Sequence, residues 1–250
     1  MKRISVELVP RDEETFRAQL ASLQQQIKPW GIDVLNIPDH PHYELRSWEA
    51  VPLANMYVPA VMPHIRAMDI DLEKPLPMAA ALREQEVHEV LVVEGDVPQD
   101  MSYKVYPTVT TDVIRKFREE MPEIRVYAGI DQYRGNMRQE RYRIRRKLQA
   151  GAAGFFTQPF FDMRFLAMYA DMMDGIEIFW GVSPIMSARS QSYWELKNNV
   201  VFPREFAPTL DWSIDFARRV LDFVGRTNDG LYLMPIKSNL MAYLSGVFTK

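Results

Sequence analysis

Eight segments with the apolar pattern of a β-strand follow one another along the chain, and a stretch with helical apolar spacing follows each of them. The predicted strands are 4–9, 33–37, 61–65, 89–93, 124–130, 154–157, 177–182 and 230–236. The predicted helices are 13–27, 47–58, 74–87, 108–121, 136–150, 162–174, 209–225 and 238–247. Strict alternation of this kind is typical of parallel strands joined by crossover helices. Eight such units in 250 residues predict a closed (β/α)8 barrel.

The alternative architecture is an open, doubly wound sheet. Such a sheet usually carries a GxGxxG phosphate-binding motif after its first strand, and this chain lacks it there. No change of composition and no linker rich in Pro, Ser or Gly divides the chain, so residues 1–250 are predicted to form one barrel domain. Only the connection from Ser187 to Phe206 reads as irregular, and we expect it to shape the mouth of the pocket.

Composition excludes several classes of function. The chain has no cysteine, which excludes thiol catalysis, zinc–thiolate and iron–sulfur sites. With 30 basic and 33 acidic side chains its net charge is −3, which argues against a nucleic-acid partner. No apolar run approaches the roughly 18 residues of a membrane span, and the N-terminal segment turns acidic where a signal peptide stays apolar. We therefore expect a cytoplasmic protein with no membrane contact.

Polar residues stand at or just after the ends of the predicted strands. They are Glu7, Asn36, Asp39, His64, Glu94, Gly95, Asp96, Asp131, Thr157, Gln158, Ser183 and Lys237. In a (β/α)8 barrel the carboxyl ends of the strands meet at one face, and that face carries the chemistry. We therefore expect these residues to converge on one site.

Glu7 is the most informative of these residues, because Val6 and Leu8 flank it in an otherwise apolar strand. A buried carboxylate without a partner costs several kcal/mol of folding free energy, so burial favours the neutral acid. A neutral carboxyl near pH 7 is a candidate general acid. The alternative is a structural glutamate in a salt bridge with a lysine or an arginine.

Five motifs resemble, in the same order, those of the methylenetetrahydrofolate reductases. They are VELVPR around Glu7, MPHIRAMD around His64, LVVEGDVP around Asp96, GAAGFFTQPFFD from Gly151 to Asp162 and GVSPIMS from Gly181 to Ser187. The resemblance extends over nearly the whole chain, and TQPFFD is its most specific part. That family has the (β/α)8 barrel fold, which agrees with the eight units counted above.

The resemblance implies an oxidoreductase that converts 5,10-methylenetetrahydrofolate into 5-methyltetrahydrofolate, with hydride passing from a nicotinamide through bound FAD. Glu7 matches the general acid that protonates the bridging nitrogen of the folate. Asp96 matches the aspartate that binds the pterin and lies close to the flavin. Gln158 matches the glutamine that hydrogen-bonds the pterin edge, where an amide offers both a donor and an acceptor.

The same resemblance implies a set of FAD contacts. They are His64, Gly95, Asp96, Glu140, Arg143, Arg146 and Lys147. The last three belong to a basic helix whose side chains would reach the FAD phosphates. Without the resemblance, this basic run reads as a solvated helix face, and His64 reads as a hydrogen-bonded histidine at a strand end.

Several positions depart from the family pattern. Glu94 stands where the family usually has an arginine that helps to hold the flavin, and Ile130 and Arg134 replace aromatic and histidine contacts to FAD. Ala188-Arg189 replaces a folate-stacking aromatic, and LMPIK, ending at Lys237, replaces a tyrosine-containing segment. These changes predict weak flavin binding. They also leave two candidates for the electron donor, NAD(P)H and a partner protein.

Two further classes of function stay open on the sequence. One is a folate-binding, non-catalytic or partner-dependent subunit that has lost its flavin; the other is an unrelated barrel lyase using Glu7 and Lys237. The cluster Asp39, His40 and His42 suggests a metal site, but Pro41 separates the two histidines and the chain has only four. We predict no metal. The sequence leaves assembly as a homo-oligomer open.

Overall fold

The computed structural model describes residues 3–97, 103–227 and 229–249. Met1, Lys2 and Pro98, which occur in the N-terminal segment and the LVVEGDVP motif, lie outside the described residues. Eight parallel strands form a closed barrel in chain order, and the first strand pairs with the eighth. The strands are β1 (Ile4–Glu7), β2 (Val34–Ile37), β3 (Ala60–Arg66), β4 (Glu89–Val93), β5 (Arg125–Ile130), β6 (Gly154–Pro159), β7 (Ile178–Val182) and β8 (Gly230–Leu233). The predicted (β/α)8 barrel is confirmed.

Helices connect consecutive strands around the outside of the barrel. They are α1 (Glu13–Leu23), α2 (Ile27–Trp30), α3 (Val51–Ala54), α4 (Ala79–Glu84), α5 (Thr110–Glu120), α6 (Met137–Ala150), α7 (Met163–Met172), α8 (Ala188–Asn198), α9 (Leu210–Val224) and α10 (Leu240–Phe248). A single 3-10 turn, Ala67–Asp69, follows β3. In the part of the chain that the structure describes, none of the helices has the length and apolarity needed to cross a bilayer.

Two predicted helices are much shorter in the structure. The segment 47–58 forms only the four-residue α3, and the segment 74–87 forms only the six-residue α4. Proline explains the second case, because Pro75 and Pro77 lack the backbone donors that a continuous helix needs. In the first case Ser47 turns its hydroxyl to the carbonyl of His64, at 2.6 Å, instead of beginning a helix.

The connection predicted to be irregular between β7 and α9 contains an additional helix. Ser187 caps α8, since its hydroxyl accepts a hydrogen bond from the backbone N–H of Ser190 at 3.1 Å. Asn199 ends the helix in the left-handed conformation, with a φ of 54°. No residue of α8 is fully buried, so the helix lies on the surface. Its last turn reaches the mouth of the main cleft through Lys197 and Asn198.

Aromatic side chains fill the middle of the barrel. Phe156 and Phe179 stack with ring centroids 4.1 Å apart, and Tyr127 and Tyr232 pack edge-on against Phe156. Apolar side chains from β2, β3 and β4 complete this layer. The barrel is therefore a packed core, and a ligand has room only at its ends.

Charged side chains close the barrel at the amino ends of the strands. Glu89 accepts hydrogen bonds from the guanidinium of Arg3, at 2.6 and 3.0 Å, and from Arg125, at 3.2 Å. Arg125 also donates to Glu177 at 2.8 Å. The paired charges seal this end, which leaves the opposite end for chemistry.

Candidate active site

The carboxyl ends of the first three strands bring four polar side chains into the barrel. Glu7 ends β1, Asn36 lies in β2, and His64 and Arg66 lie in β3; all four are buried. Side chains alternate along a strand, so these residues face inward while their neighbour Val6 packs in the outer core. Parallel strands place all four at the same end of the barrel.

Glu7 has the environment of a proton donor. Its Oε2 accepts a hydrogen bond from the Tyr232 hydroxyl of β8. Burial raises the pKa of Glu7 to about 7, although the hydrogen bond from Tyr232 acts in the opposite direction. Among the described residues no lysine, arginine or histidine forms an ion pair with Glu7. The salt-bridged alternative is therefore not what the structure contains.

His64 belongs to a buried hydrogen-bond chain. Its Nε2 donates to Asn36 Oδ1 at 2.9 Å, and Asn36 Nδ2 donates to the Ser5 hydroxyl. Burial lowers the pKa of His64 to about 3, so the ring is neutral at physiological pH. The His64 ring orients Asn36, and it does not line the cleft described next.

A cleft of about 880 Å³ opens at the carboxyl ends of β3 to β6. This volume is in the range of small-molecule sites. Seven of the residues predicted for the site line the cleft: Gly95, Asp96, Glu140, Arg143, Arg146, Lys147 and Gln158. Glu7 and His64 do not line it; Glu7 borders a separate, smaller pocket between β1 and β8. The structure therefore brings the predicted residues to one end of the barrel but places seven in the cleft, Glu7 at the smaller pocket and His64 in neither.

Helix α6 forms the basic wall of the cleft. Asn136 starts the helix by accepting a hydrogen bond from the backbone N–H of Gln139 at 3.0 Å. Glu140 is buried and accepts a hydrogen bond from Arg143 at 3.1 Å. Lys147 Nζ donates to the carbonyl of Gly129 at 2.6 Å, which ties the helix to the end of β5. Burial lowers the pKa of Lys147.

Glu94, which stands where the family usually has an arginine, is paired. Its two oxygens accept hydrogen bonds from both terminal nitrogens of Arg134, with Nη2 at 3.1 Å from Oε1. This hydrogen bonding to Arg134 holds the pKa of Glu94 below its usual range. The loop after β5 thus supplies a cation, Arg134, beside this carboxylate.

Arg66 is a cleft residue that the sequence interpretation missed. Its Nη2 donates to the carbonyl of Asp96 at 2.8 Å and to the Tyr103 hydroxyl at 2.9 Å, and its Nε donates to Asp69 at 3.1 Å. Gly95 has a φ of 90°, and a Cβ there would lie 3.1 Å from Arg66 Cζ. Arg66 therefore fixes the loop after β4, and glycine is needed at position 95 for this close approach.

A second ion-pair cluster extends from Arg66 towards β2. Asp69 also accepts a hydrogen bond from Arg46 at 2.9 Å, and Arg46 makes a two-point contact with Asp39. The sequence contains one indication of this cluster. Arg66 comes two residues after His64 in the same strand, so its charged side chain faces inward and needs acidic partners.

The sequence model of the methylenetetrahydrofolate reductases matches residues 2–217, which include every strand from β1 to β7. The chain belongs to the methylenetetrahydrofolate reductase family. It is 23% identical over 147 residues to 5,10-methylenetetrahydrofolate reductase of Buchnera aphidicola subsp. Schizaphis graminum (strain Sg). The matched stretch covers 57% of this chain and 50% of that enzyme, so the chain spans about half the length of the curated relative it matches.

Solved structures resemble this member of the methylenetetrahydrofolate reductase family in fold. A protein from Clostridium thermocellum that binds two copies of 5-methyl-5,6,7,8-tetrahydrofolic acid has a TM-score of 0.64 at 13% identity, over 99% of this chain and 94% of its own. Oxaloacetate acetylhydrolase has a TM-score of 0.57 at 9% identity, over 94% and 75% of the two chains. For 2,3-dimethylmalate lyase the score is 0.54 at 11% identity, over 91% and 82%. Identities this low show a shared barrel fold.

Gln158, in the TQPFFD motif of this family member, stands where β6 departs from regular pairing with β7. Its carbonyl accepts a hydrogen bond from Gln132 Nε2 at 2.7 Å, and Gln132 also contacts the carbonyl of Pro159 at 3.2 Å. The side chain of Gln158 is exposed in the cleft. Gln132, which the sequence interpretation did not single out, thus supports the backbone that presents Gln158.

The Asp39, His40 and His42 cluster does not assemble metal ligands. Asp39 is engaged by Arg46 at 2.5 Å, and the rings of His40 and His42 lie 5.1 Å apart. Within residues 3–97, 103–227 and 229–249, no group of three or more His, Asp or Glu side chains is arranged to hold a metal ion. His40 instead lines the cleft, and its pKa is lowered by burial.

Proposed function

We propose that this protein binds a tetrahydrofolate and reduces 5,10-methylenetetrahydrofolate to 5-methyltetrahydrofolate, with FAD as the hydride carrier. Membership of the family supports the reaction, and the binding of 5-methyltetrahydrofolate by the similar Clostridium thermocellum protein supports the ligand. The observation that carries the proposal is Glu7, a buried carboxyl at the same end of the barrel as the cleft, whose volume is about 880 Å³.

Glu7 supplies the proton that the reaction requires. The Tyr232 hydroxyl donates to Oε2, so the acidic proton resides on Oε1. With its pKa raised to about 7 by burial, a large fraction of Glu7 is protonated at neutral pH. Transfer of this proton to the bridging nitrogen of the folate opens the five-membered ring to an electrophilic iminium. Glu7 is left as a carboxylate that Tyr232 stabilises.

Asp96 and Gln158 hold the pterin ring. Arg66 binds the backbone carbonyl of Asp96, so among the described residues the Asp96 carboxylate keeps its own oxygens free for a ligand. A carboxylate accepts hydrogen bonds from the amino and ring N–H groups of a pterin. The Gln158 amide adds one donor and one acceptor at the heterocycle edge.

Helix α6 gives the cleft three cations for FAD. Arg143, Arg146 and Lys147 on α6 would hold its pyrophosphate, and Gly95 would let the flavin ring approach the backbone. Bound FAD would accept hydride from the electron donor and deliver it to the folate carbon. Arg134 is engaged by Glu94 and contributes less positive charge than an unpaired arginine.

The proposal is tested by the visible spectrum of the purified protein before and after addition of FAD, followed by an assay of methylenetetrahydrofolate reduction. Bound flavin absorbs near about 450 nm, and folates do not. Arg146→Ala is the best variant for the phosphate contact, because Arg146 is exposed and forms no hydrogen bond or ion pair with the described residues; it lies 6.0 Å from the Tyr142 ring. We expect weaker FAD binding in Arg146→Ala. Failure of the wild type to bind FAD at any concentration would exclude the flavin-dependent reaction.

A second candidate function is a folate-binding subunit without flavin. The Glu94–Arg134 pair favours it, since a carboxylate lies where the flavin would need a cation. In this case the protein binds 5-methyltetrahydrofolate, and its visible spectrum does not change when FAD is added. It does not reduce methylenetetrahydrofolate with any electron donor. Adding NADH, NADPH or a reduced partner flavoprotein to the FAD-loaded protein identifies the electron donor in the first case.

A further inference from the structure

A small pocket of about 170 Å³ borders Glu7 on the side of α1 and the loop between β8 and α10. Its polar lining comes from both sides: Glu7 of β1, Arg11 of the loop after β1, and Thr15 and Gln19 of α1 on one side, and Lys237 and Ser238 of the loop after β8 on the other. None of these residues lines the main cleft. Glu7 therefore borders this pocket and not the main cleft.

Two buried polar atoms in this lining lack partners. Gln19 Oε1 and Ser238 Oγ are both buried, and neither has a hydrogen-bond partner among the described residues. Leaving a buried polar atom unpaired costs about 1–3 kcal/mol, so such atoms are normally paired with protein groups or ordered water. They lie on opposite walls of the pocket, on α1 and on the loop. The pocket volume of about 170 Å³ accommodates about six water molecules at about 30 Å³ each.

We propose that this pocket is a proton inlet, a water-filled passage through which solvent protonates Glu7 while folate occupies the main cleft. The inference rests on the proposed role of Glu7 as proton donor. When Glu7 gives its proton to the folate nitrogen, a carboxylate remains. A hydronium ion delivered along the pocket returns one proton to this carboxylate and leaves one water, which restores the acid for the next turnover.

The charges around Glu7 agree with this role. Tyr232 donates to Oε2, and Tyr43, after β2, has a pKa raised by burial and so stays a neutral phenol. Arg11 and Lys237 are exposed and stand in the outer lining. These two cations stabilise the Glu7 carboxylate after proton transfer. Because charged side chains are hydrated, they also favour water in the passage. Water molecules that bond to Gln19 and Ser238 would carry the proton through the passage to Glu7.

The first experiment measures access to Glu7 without any turnover. The protein is transferred to D2O, and exchange of the Glu7 carboxyl proton is followed by the infrared carbonyl stretch, with Glu7→Gln as the blank. Ser238→Leu fills the loop side of the pocket, and Gln19→Leu removes the amide on the α1 side. We expect each to slow exchange at least about tenfold, while Gln25→Leu, an exposed control near the end of α1, exchanges like wild type. Exchange at the wild-type rate in both filled variants would overturn the inlet.

The second experiment separates the first turnover from later ones. Ser238→Leu should reduce its first folate equivalent at the wild-type rate, because Glu7 begins protonated, and should be slower in every later turnover. Equal rates in both phases would overturn the inlet. If the protein reduces no folate but the filled variants still exchange slowly, the proposed reaction fails and the access route stands.

Discussion

At the scale of single residues, Glu7 shows how position in a strand sets chemistry. Its neighbours Ser5 and Val6 divide between the barrel interior and the outer core, and the same alternation turns Glu7 inward. There burial removes much of the hydration of the carboxyl, and the one hydrogen bond that it accepts among the described residues comes from Tyr232. The result is an acid that titrates near neutrality.

Replacing Glu7 with Gln keeps the shape of the side chain and removes the titratable proton. We expect Glu7→Gln to bind 5-methyltetrahydrofolate normally and to lower folate reduction by about 10²–10⁴-fold, the usual contribution of a general acid. Reduction of bound flavin by the electron donor needs no folate and serves as the internal control. Normal folate turnover in the variant would show that the carboxyl is structural.

Tyr232→Phe tests the hydrogen bond that stabilises the Glu7 carboxylate. Since this hydrogen bond lowers the pKa of Glu7, its loss raises that pKa further. The reaction needs the protonated acid, so the wild-type rate should fall as the pH rises through about 7. In Tyr232→Phe this fall should begin at higher pH. The measurement is the pH–rate profile of both proteins at saturating folate. If the rate of Tyr232→Phe falls at the same pH as that of wild type, or at a lower pH, Glu7 is not the acid that this profile reports.

The raised pKa of Glu7 also predicts how stability depends on pH. Between the ordinary value of 4.5 and about 7, the unfolded chain has released the proton and the folded chain still holds it. The free energy of unfolding should therefore fall through this range, by about 3 kcal/mol in total. In Glu7→Gln this component should be absent. Urea denaturation of both proteins from pH 4.5 to 8 measures the difference, and parallel curves would refute it.

At the scale of elements, the loops after β4 and β5 and helix α6 together determine the charge of the cleft. Glu94 and Arg134 neutralise each other across the two loops. The Lys147 ammonium donates a hydrogen bond to the carbonyl of Gly129 at the end of β5, and Arg143 pairs with Glu140. A phosphate-bearing ligand must therefore compete with carboxylates and carbonyls for most of the cations of this wall.

Glu94→Gln should release Arg134 for a ligand. Both side chains are partly exposed, so their interaction is worth at most about 1 kcal/mol, and FAD affinity should increase about two- to fivefold at low salt. The gain should shrink as ionic strength rises. Glu119→Gln, the same change at an exposed position of α5, is the control. FAD titrations at two salt concentrations make the comparison; equal affinity in Glu94→Gln and wild type at low salt would be the contrary result.

The sequence predicted all of the strands, because apolar runs bounded by turns depend only on local pattern. It overestimated helix 74–87, where Pro75 and Pro77 outweigh the helical spacing. In the site, it identified Glu7 from its apolar neighbours. It missed the Glu94–Arg134 pair, whose members are 40 positions apart, because pairing across strands depends on barrel register. The contact between Arg66 and the Asp96 carbonyl also depends on barrel register, so the sequence did not predict it.

At the scale of the whole molecule, stability and chemistry occupy opposite ends of the barrel. The amino end is closed by Glu89, which Arg3 and Arg125 share. The carboxyl end carries both cavities. Changes at one end should therefore leave the other largely unaffected, since the stacked aromatic layer separates them.

Glu89→Gln tests this separation. Removing one partner of a buried ion pair costs about 3–5 kcal/mol, and partial exposure of the two arginines reduces the expected loss to about 2 kcal/mol. Urea denaturation should show this loss, whereas affinities for folate and FAD should match wild type. A variant with wild-type stability, or one with weakened ligand binding, would mean that the two ends are not independent.

Closure of the barrel between β1 and β8 has a consequence for how the protein is made. Ile4, Ser5 and Val6 pair with Leu231, Tyr232 and Leu233, so the first strand synthesised must wait for one of the last. At about 5–20 residues per second, ribosomes need on the order of ten to fifty seconds to supply that partner. Throughout this interval the nascent chain presents unpaired strand edges, which attract other chains. The yield of this protein should therefore respond to translation speed and to holding chaperones as strongly as to the stability of the finished barrel.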